Sequence, residues 1–196
     1  MLGLNYRNTG EILAVAYESA RDVLAPEEAE EDGIPLMEPS SAGRHGSPPE
    51  LAKLPSLKAE ANFIAHRLQA PHRRGRAWKD VAVIYRSHFI GEEITQRLRA
   101  ATLPVKWLNG NRRNRNFHPA EDSVKVMTMH SSKGLEFPVG AIPGVGFRPC
   151  REQDPKEEAR LLYVAMTRAM DELLITWHQE SAFVAKLGQA RARLAA

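Results

Sequence analysis

Two arginines and one polar loop hold most of the chemistry this chain can offer. In Glu157-Glu158-Ala159-Arg160-Leu161-Leu162-Tyr163-Val164-Ala165-Met166-Thr167-Arg168-Ala169, an apolar stripe of Leu162, Ala165, Met166 and Ala169 recurs at helical spacing, and Arg168 stands near its end. Asp154 can cap this helix, Pro155 suits its first position, and Glu157 follows the cap by three residues. Near the start, Leu4-Asn5-Tyr6-Arg7-Asn8 sets a second arginine beside an aromatic ring. A guanidinium is always charged and presents a planar fork of donors to phosphate oxygens, so arginines held at element ends suit phosphoryl chemistry. Taken alone, the helix also fits a plainer description, an amphipathic surface helix with a solvated arginine, and Tyr6 fits core packing.

The polar loop lies in Val126-Met127-Thr128-Met129-His130-Ser131-Ser132-Lys133-Gly134-Leu135-Glu136-Phe137. Thr128, His130, Ser131 and Lys133 follow an apolar run and precede a glycine, which places them at the carboxyl edge of a sheet. Hydroxyls, an imidazole and an ammonium suit the backbone phosphates of single-stranded DNA. Arg86 and Ser87, at the end of the run Val81–Tyr85, are further candidates for such contacts. A complete nucleotide-hydrolysing site would also need a phosphate cradle and a magnesium carboxylate. The chain contains no Gly-Lys dipeptide, hence no G-x-x-x-x-G-K-[ST] loop. Asp171-Glu172 superficially resembles a magnesium pair, but it is expected to end a helix and precede a strand, which reads as solvated turn chemistry. Gly144-x-Gly146 lacks the third glycine of a dinucleotide loop and reads as a turn. The histidines show no compact ligand pattern, so no metal ligand is assigned.

The elements that must position these groups alternate in type. Asn8 or Thr9 can cap a helix running to about Leu24. Residues 25 to 55 are acidic and rich in proline, glycine and serine, and read as irregular connection with a short strand around Ile34–Met37. A helix is expected from Ser56 to Gln69, a strand buried on both faces at Val81–Tyr85, and a helix from about Gly91 to Ala101. Short strands follow at Val105–Leu108, Val124–Met129 and Val139–Ile142, and Leu173–Trp177 is expected to close the sheet after the arginine helix. Such alternation predicts an α/β fold, a mainly parallel sheet with helices on both faces.

The segments around Arg7, Lys133 and Arg168, in that order, resemble motifs IV, V and VI of superfamily 1 DNA helicases of the UvrD/Rep/PcrA type. The family patterns run roughly NYRS, MT-H-x-x-KGLEF and EE-x-RLLYVA-x-TRA, and Val83-Ile84-Tyr85-Arg86-Ser87 looks like the family's strand between the first two. The resemblance covers nearly the whole chain but only the second half of a helicase. It implies a single domain, residues 1–196, of RecA-like fold: a P-loop NTPase-type second domain without its own P-loop. It implies that Arg7 and Arg168 reach the γ-phosphate of an ATP whose Mg2+ and phosphates are held mainly by a missing N-terminal RecA-like domain. Tyr6 would then stack on the adenine and Glu136 would bond the ribose, while Thr128, His130, Ser131, Lys133, Arg86 and Ser87 would contact single-stranded DNA. The chain alone is not expected to hydrolyse ATP. Asn8 stands where the family usually has serine, and Ser131-Ser132 replaces a frequent Ala-Ala. Only Asn109 to Asp122 separates the strand near Trp107 from the motif V strand, too short for the large helical subdomain that UvrD-type proteins insert there. The alternative reading is a non-catalytic RecA-like module that binds DNA or a partner protein.

Composition agrees with these readings without choosing between them. A chain of 196 residues with 43% apolar side chains supports a real core. The single Cys150 excludes a disulfide framework and a four-cysteine zinc site. Neither a signal sequence nor a membrane-length apolar run is visible, so the expected location is the cytoplasm. The net charge of +3 permits a nucleic-acid partner. His72-Arg73-Arg74-Gly75-Arg76 and Arg112-Arg113-Asn114-Arg115 are local basic clusters that read as phosphate contacts or as solvated loops.

Overall fold

Continuous apolar runs form the middle of a six-stranded sheet. The computed structural model of the chain describes residues 7–23, 43–108, 118–148 and 153–195. Its strands are β1 (Glu50–Lys53), β2 (Val81–Tyr85), β3 (Val105–Trp107), β4 (Val124–Thr128), β5 (Phe137–Ile142) and β6 (Ala169–Trp177). They lie in the order β1-β6-β5-β2-β4-β3, and every pairing is parallel. β2 is buried along its whole length, as a central strand of a doubly covered parallel sheet must be.

Helices cover both faces. Ala82, Ile84 and Met127 point to a core shared with α1 (Gly10–Ala20), α4 (Pro155–Met166) and α5 (Ala182–Ala195). The alternate residues Val81, Val83, Tyr85 and Val126 point to a second core with α2 (Leu57–Arg73) and α3 (His88–Ala100). Ser56 caps α2 by accepting from the Ala59 N–H, and Asp154 caps α4 by accepting from the Lys156 N–H, with Pro155 in the first turn. The mainly parallel α/β sheet with helices on both faces is therefore present.

Several expectations need correction. The edge strand β1 falls inside the stretch read as irregular connection; four half-exposed residues between prolines carry too little periodicity to show. The strand expected at Ile34–Met37 lies outside the described residues, as do Tyr6, Cys150 and the Arg112–Arg115 cluster. α2 continues to Arg73 through Pro71. β6 begins at Ala169, so Asp171 and Glu172 belong to a strand rather than a turn. β6 also lies inside the sheet between β1 and β5, and α5 packs after it where no element was assigned.

Candidate functional site

Arg7, Glu136 and Arg168 converge where β5 and β6 begin. Arg168 follows α4 by two residues and immediately precedes β6; Glu136 immediately precedes β5. The Phe137 N–H donates to the Arg168 carbonyl at 2.9 Å, which zips the two strand starts together. Arg7 precedes α1 and pairs with Glu136, Nη1 to Oε1 at 3.0 Å, with 71% of the Arg7 side chain exposed. An ion pair this exposed contributes about 0–1 kcal/mol, so the Glu136 contact itself holds Arg7 only weakly.

Arg168 is held more firmly. Its Nε donates to the Val164 carbonyl at 3.1 Å and its Nη1 to the Leu135 carbonyl at 3.3 Å. Burial is the largest influence on its guanidinium and pulls the pKa below the usual value; Arg7 adds to that pull and Glu136 opposes it. Partial desolvation next to a second cation leaves a site that gains from a further negative charge. The group therefore offers two guanidiniums and one carboxylate at a single sheet edge.

The predicted DNA-contact residues gather at the opposite edge. Thr128 lies beside Tyr85 at the carboxyl end of β2, whereas Val139 lies beside Val81 at its amino end. Residues 129–136 thus descend the height of the sheet between the two edges. Ser132 pegs this loop: it is fully buried, and its hydroxyl donates to the Met129 carbonyl at 2.8 Å. His130, Ser131 and Lys133 are exposed. The Thr128 hydroxyl donates to Ser131 Oγ at 3.1 Å and accepts from the Ser131 N–H at 3.2 Å, so these two residues brace the turn. Desolvation lowers the His130 pKa, helped by Arg86 and Lys133 and opposed by Glu158.

Arg86 is less available than its sequence position suggested. Its Nε donates to Glu158 Oε1 at 2.8 Å, and only 19% of its side chain is exposed. Glu158, itself 2% exposed, lies 3.2 Å from Arg148 Nη2 through its other oxygen. Arg86, His130, Lys133, Glu157 and Arg160 line a shallow cleft of about 90 Å3 over this triad. Ser87 precedes α3 as its cap residue, and its carbonyl accepts from the Ile90 N–H. No sequence signal joined Arg86 to Glu158, which stand 72 positions apart.

The cluster Arg74–Arg76 and the pair Asp171-Glu172 explain each other. Arg76 and Arg44 both bind Asp171, and Arg74 reaches both oxygens of Glu172 at 2.7 Å. Arg44 Nη1 also donates to the Arg7 carbonyl at 2.9 Å, so this network braces the segment that carries Arg7. Among the described residues no group of three or more His, Cys, Asp or Glu side chains could hold a metal ion, and no helix is long and apolar enough to cross a membrane.

Comparison with known proteins bears on the family and the fold. The ATP-dependent DNA helicase Rep of Salmonella typhimurium is 46% identical over 65 residues, 30% of this chain and 10% of that protein. The ATP-dependent DNA helicase PcrA of Staphylococcus aureus is 45% identical over 65 residues, 29% of this chain and 9% of that protein. The matches thus span about a tenth of these curated relatives. The crystal structure of the C-terminal domain of a possible DNA helicase from Lactobacillus plantarum shares the fold, with a TM-score of 0.64 at 21% identity over 93% of this chain and 94% of that one. The UvrD-like helicase C-terminal domain family matches residues 1–113 and 108–180, and the chain belongs to that family.

Proposed function

We propose that this chain is the C-terminal RecA-like half of an ATP-dependent DNA helicase or translocase, and that it completes an ATP site built mainly by an N-terminal RecA-like domain. That partner domain is either joined to it in one polypeptide or supplied as a separate chain. The observation that carries the reading is the convergence of Arg7, Arg168 and Glu136 at the start of β5 and β6. Two guanidiniums at one edge fit a triphosphate approaching from outside; the sequence has no Gly-Lys dipeptide for a phosphate loop, and the described residues hold no group of three His, Cys, Asp or Glu that could bind magnesium. ATP with Mg2+ would therefore be held by the partner domain. Arg7 and Arg168 would meet the charge on the γ-phosphoryl group, Glu136 would accept from the ribose once Arg7 has exchanged it for phosphate, and Tyr6 would cover the base.

In this reading Thr128, His130, Ser131 and Lys133, with Ser87 and Arg86 beside them, form one wall of a groove for single-stranded DNA. Arg86 would reach phosphate only by sharing or leaving Glu158. The chain alone should hydrolyse ATP no faster than background. With the ATP-binding domain present, Arg168→Ala should lower DNA-stimulated turnover roughly 10³-fold or more, with a smaller effect on ATP affinity. Arg168→Lys should restore little, since an ammonium cannot reproduce the fork. Near-normal turnover of Arg168→Ala would remove the arginine from the mechanism and with it this proposal.

A further inference from the structure

The backbone around Arg168 is fastened at four consecutive carbonyls. Asn8 Nδ2 donates to the Thr167 carbonyl at 2.8 Å and to the Ala169 carbonyl at 2.7 Å, the oxygens on either side of Arg168. The Arg168 carbonyl accepts from the Phe137 N–H at 2.9 Å, and the Met170 carbonyl from the Thr9 N–H at 3.1 Å. Asn8 is 3% exposed, so both of its bonds are shielded from water. It is also the residue next to Arg7. One buried amide therefore ties the peptide that carries one arginine to the peptides flanking the other.

We propose that Asn8 is a positioning residue that fixes the separation and orientation of Arg7 and Arg168 for the nucleotide. The inference rests on the reading that these arginines meet ATP. An amide has two N–H donors and both are spent here; a serine hydroxyl has one donor and a shorter reach, and a carboxylate has none. Asn8→Ala would leave two buried carbonyls without their donor and loosen the turn between α4 and β6. Asn8→Asp keeps the shape but sets carboxylate oxygens against carbonyl oxygens. A displacement of about 1 Å at a group that acts only in the transition state costs on the order of 10²-fold in rate.

The test is DNA-stimulated ATP hydrolysis by the protein that unites this chain with its ATP-binding domain. The variants are Asn8→Ala, Asn8→Asp, Asn8→Ser, Arg168→Ala and the Asn8→Ala/Arg168→Ala double. Asn8→Ala and Asn8→Asp should lower kcat by about 10- to 100-fold with KM for ATP little changed, and Asn8→Ser should fall between them and the parent. In the Arg168→Ala background, Asn8→Ala should cause no further loss, because residues that act as one unit are not additive. A purely structural role would lower active protein in both backgrounds alike, so additive losses overturn the proposal. Normal kcat in Asn8→Ala alongside an impaired Arg168→Ala also overturns it and leaves the arginine reading intact. Normal kcat in Arg168→Ala overturns that reading instead. If the alanine and aspartate variants do not fold, Asn8→Ser decides: an intermediate kcat at unchanged KM supports the proposal, and the parent's kcat overturns it.

Discussion

Removing the Glu158 carboxylate should destabilise this chain more than any comparable surface charge. Glu158 is 2% exposed and lies between Arg86 and Arg148, whose side chains are 19% and 1% exposed. In Glu158→Ala the Arg148 guanidinium stays buried without its carboxylate, a loss of about 3–5 kcal/mol for a broken buried pair. The adjacent Glu157 provides the control. It sits in the same first turn of α4 but is exposed, so Glu157→Ala forfeits only the favourable placement of a negative charge at a helix start, about 0.3–1 kcal/mol. In a domain of this size 1 kcal/mol moves the midpoint by about 2–4 °C, so Glu158→Ala should melt roughly 6–20 °C lower and Glu157→Ala at most about 4 °C lower. Circular dichroism melts and urea titrations of the isolated chain measure both. Losses within 1 kcal/mol of each other would show that the triad is not a buried ion network.

Weak binding of single-stranded DNA by the isolated chain should fall steeply with salt, and Lys133→Ala should reduce the slope by about 0.7, one phosphate contact; an unchanged slope in fluorescence anisotropy would exclude Lys133 from the groove. The same binding should tighten as pH falls below about 6.5, because phosphate favours the protonated imidazole of His130 that desolvation and neighbouring cations disfavour in the free chain, and His130→Gln should flatten the profile. Folding stability responds to His130 with the opposite sign: its lowered pKa means full stability above 6.5 and a loss as pH falls through the folded value, so melting and binding profiles that move together would refute the assignment. Gly91→Ala should destabilise by about 1–3 kcal/mol despite alanine's helix propensity, because the added methyl would overlap the buried Tyr85 ring; a gain in urea midpoint would contradict that packing.

The sheet was legible wherever strands are apolar throughout. β2 declares itself as the run Val-Ala-Val-Ile-Tyr, and β4 shows through Val124, Val126 and Met127 although Lys125 interrupts it, since both of their faces are covered. β1 and the first residues of β6 did not, because their charges are matched by residues remote in sequence: Glu50 by Arg67, Asp171 by Arg44 and Arg76, Glu172 by Arg74. Read locally, acidic residues argue against a strand; only the fold supplies the guanidiniums that make them acceptable. α5 could have been found. Phe183, Val184, Leu187 and Ala190 keep helical spacing and are buried, and the Ser181 hydroxyl accepts from the Val184 N–H at 3.2 Å as a cap would. In the candidate site, residue types and motif order pointed to Arg7, Glu136 and Arg168, and the fold brings the three together at one sheet edge. The commitments of Arg86 to Glu158 and of Asn8 to the flanks of Arg168 are long-range contacts that no local pattern encodes.

The connection between β4 and β5 has a physical consequence of its own. Parallel strands are ordinarily joined by a crossover of a dozen or more residues, often a helix. Here eight residues, 129–136, make the whole return, and the register shows that they run from one edge of the sheet to the other. Such a short path leaves little slack: Met129 and Ser132 are fully buried, and Leu135 gives its carbonyl to Arg168. A phosphate that pulls His130 or Lys133 at the carboxyl edge therefore strains a segment whose other end contacts both arginines. Helix α4 lies along the same path, with Glu158 toward Arg86 and Val164 toward Arg168. Two short, well-packed routes thus run between the proposed DNA groove and the proposed nucleotide edge.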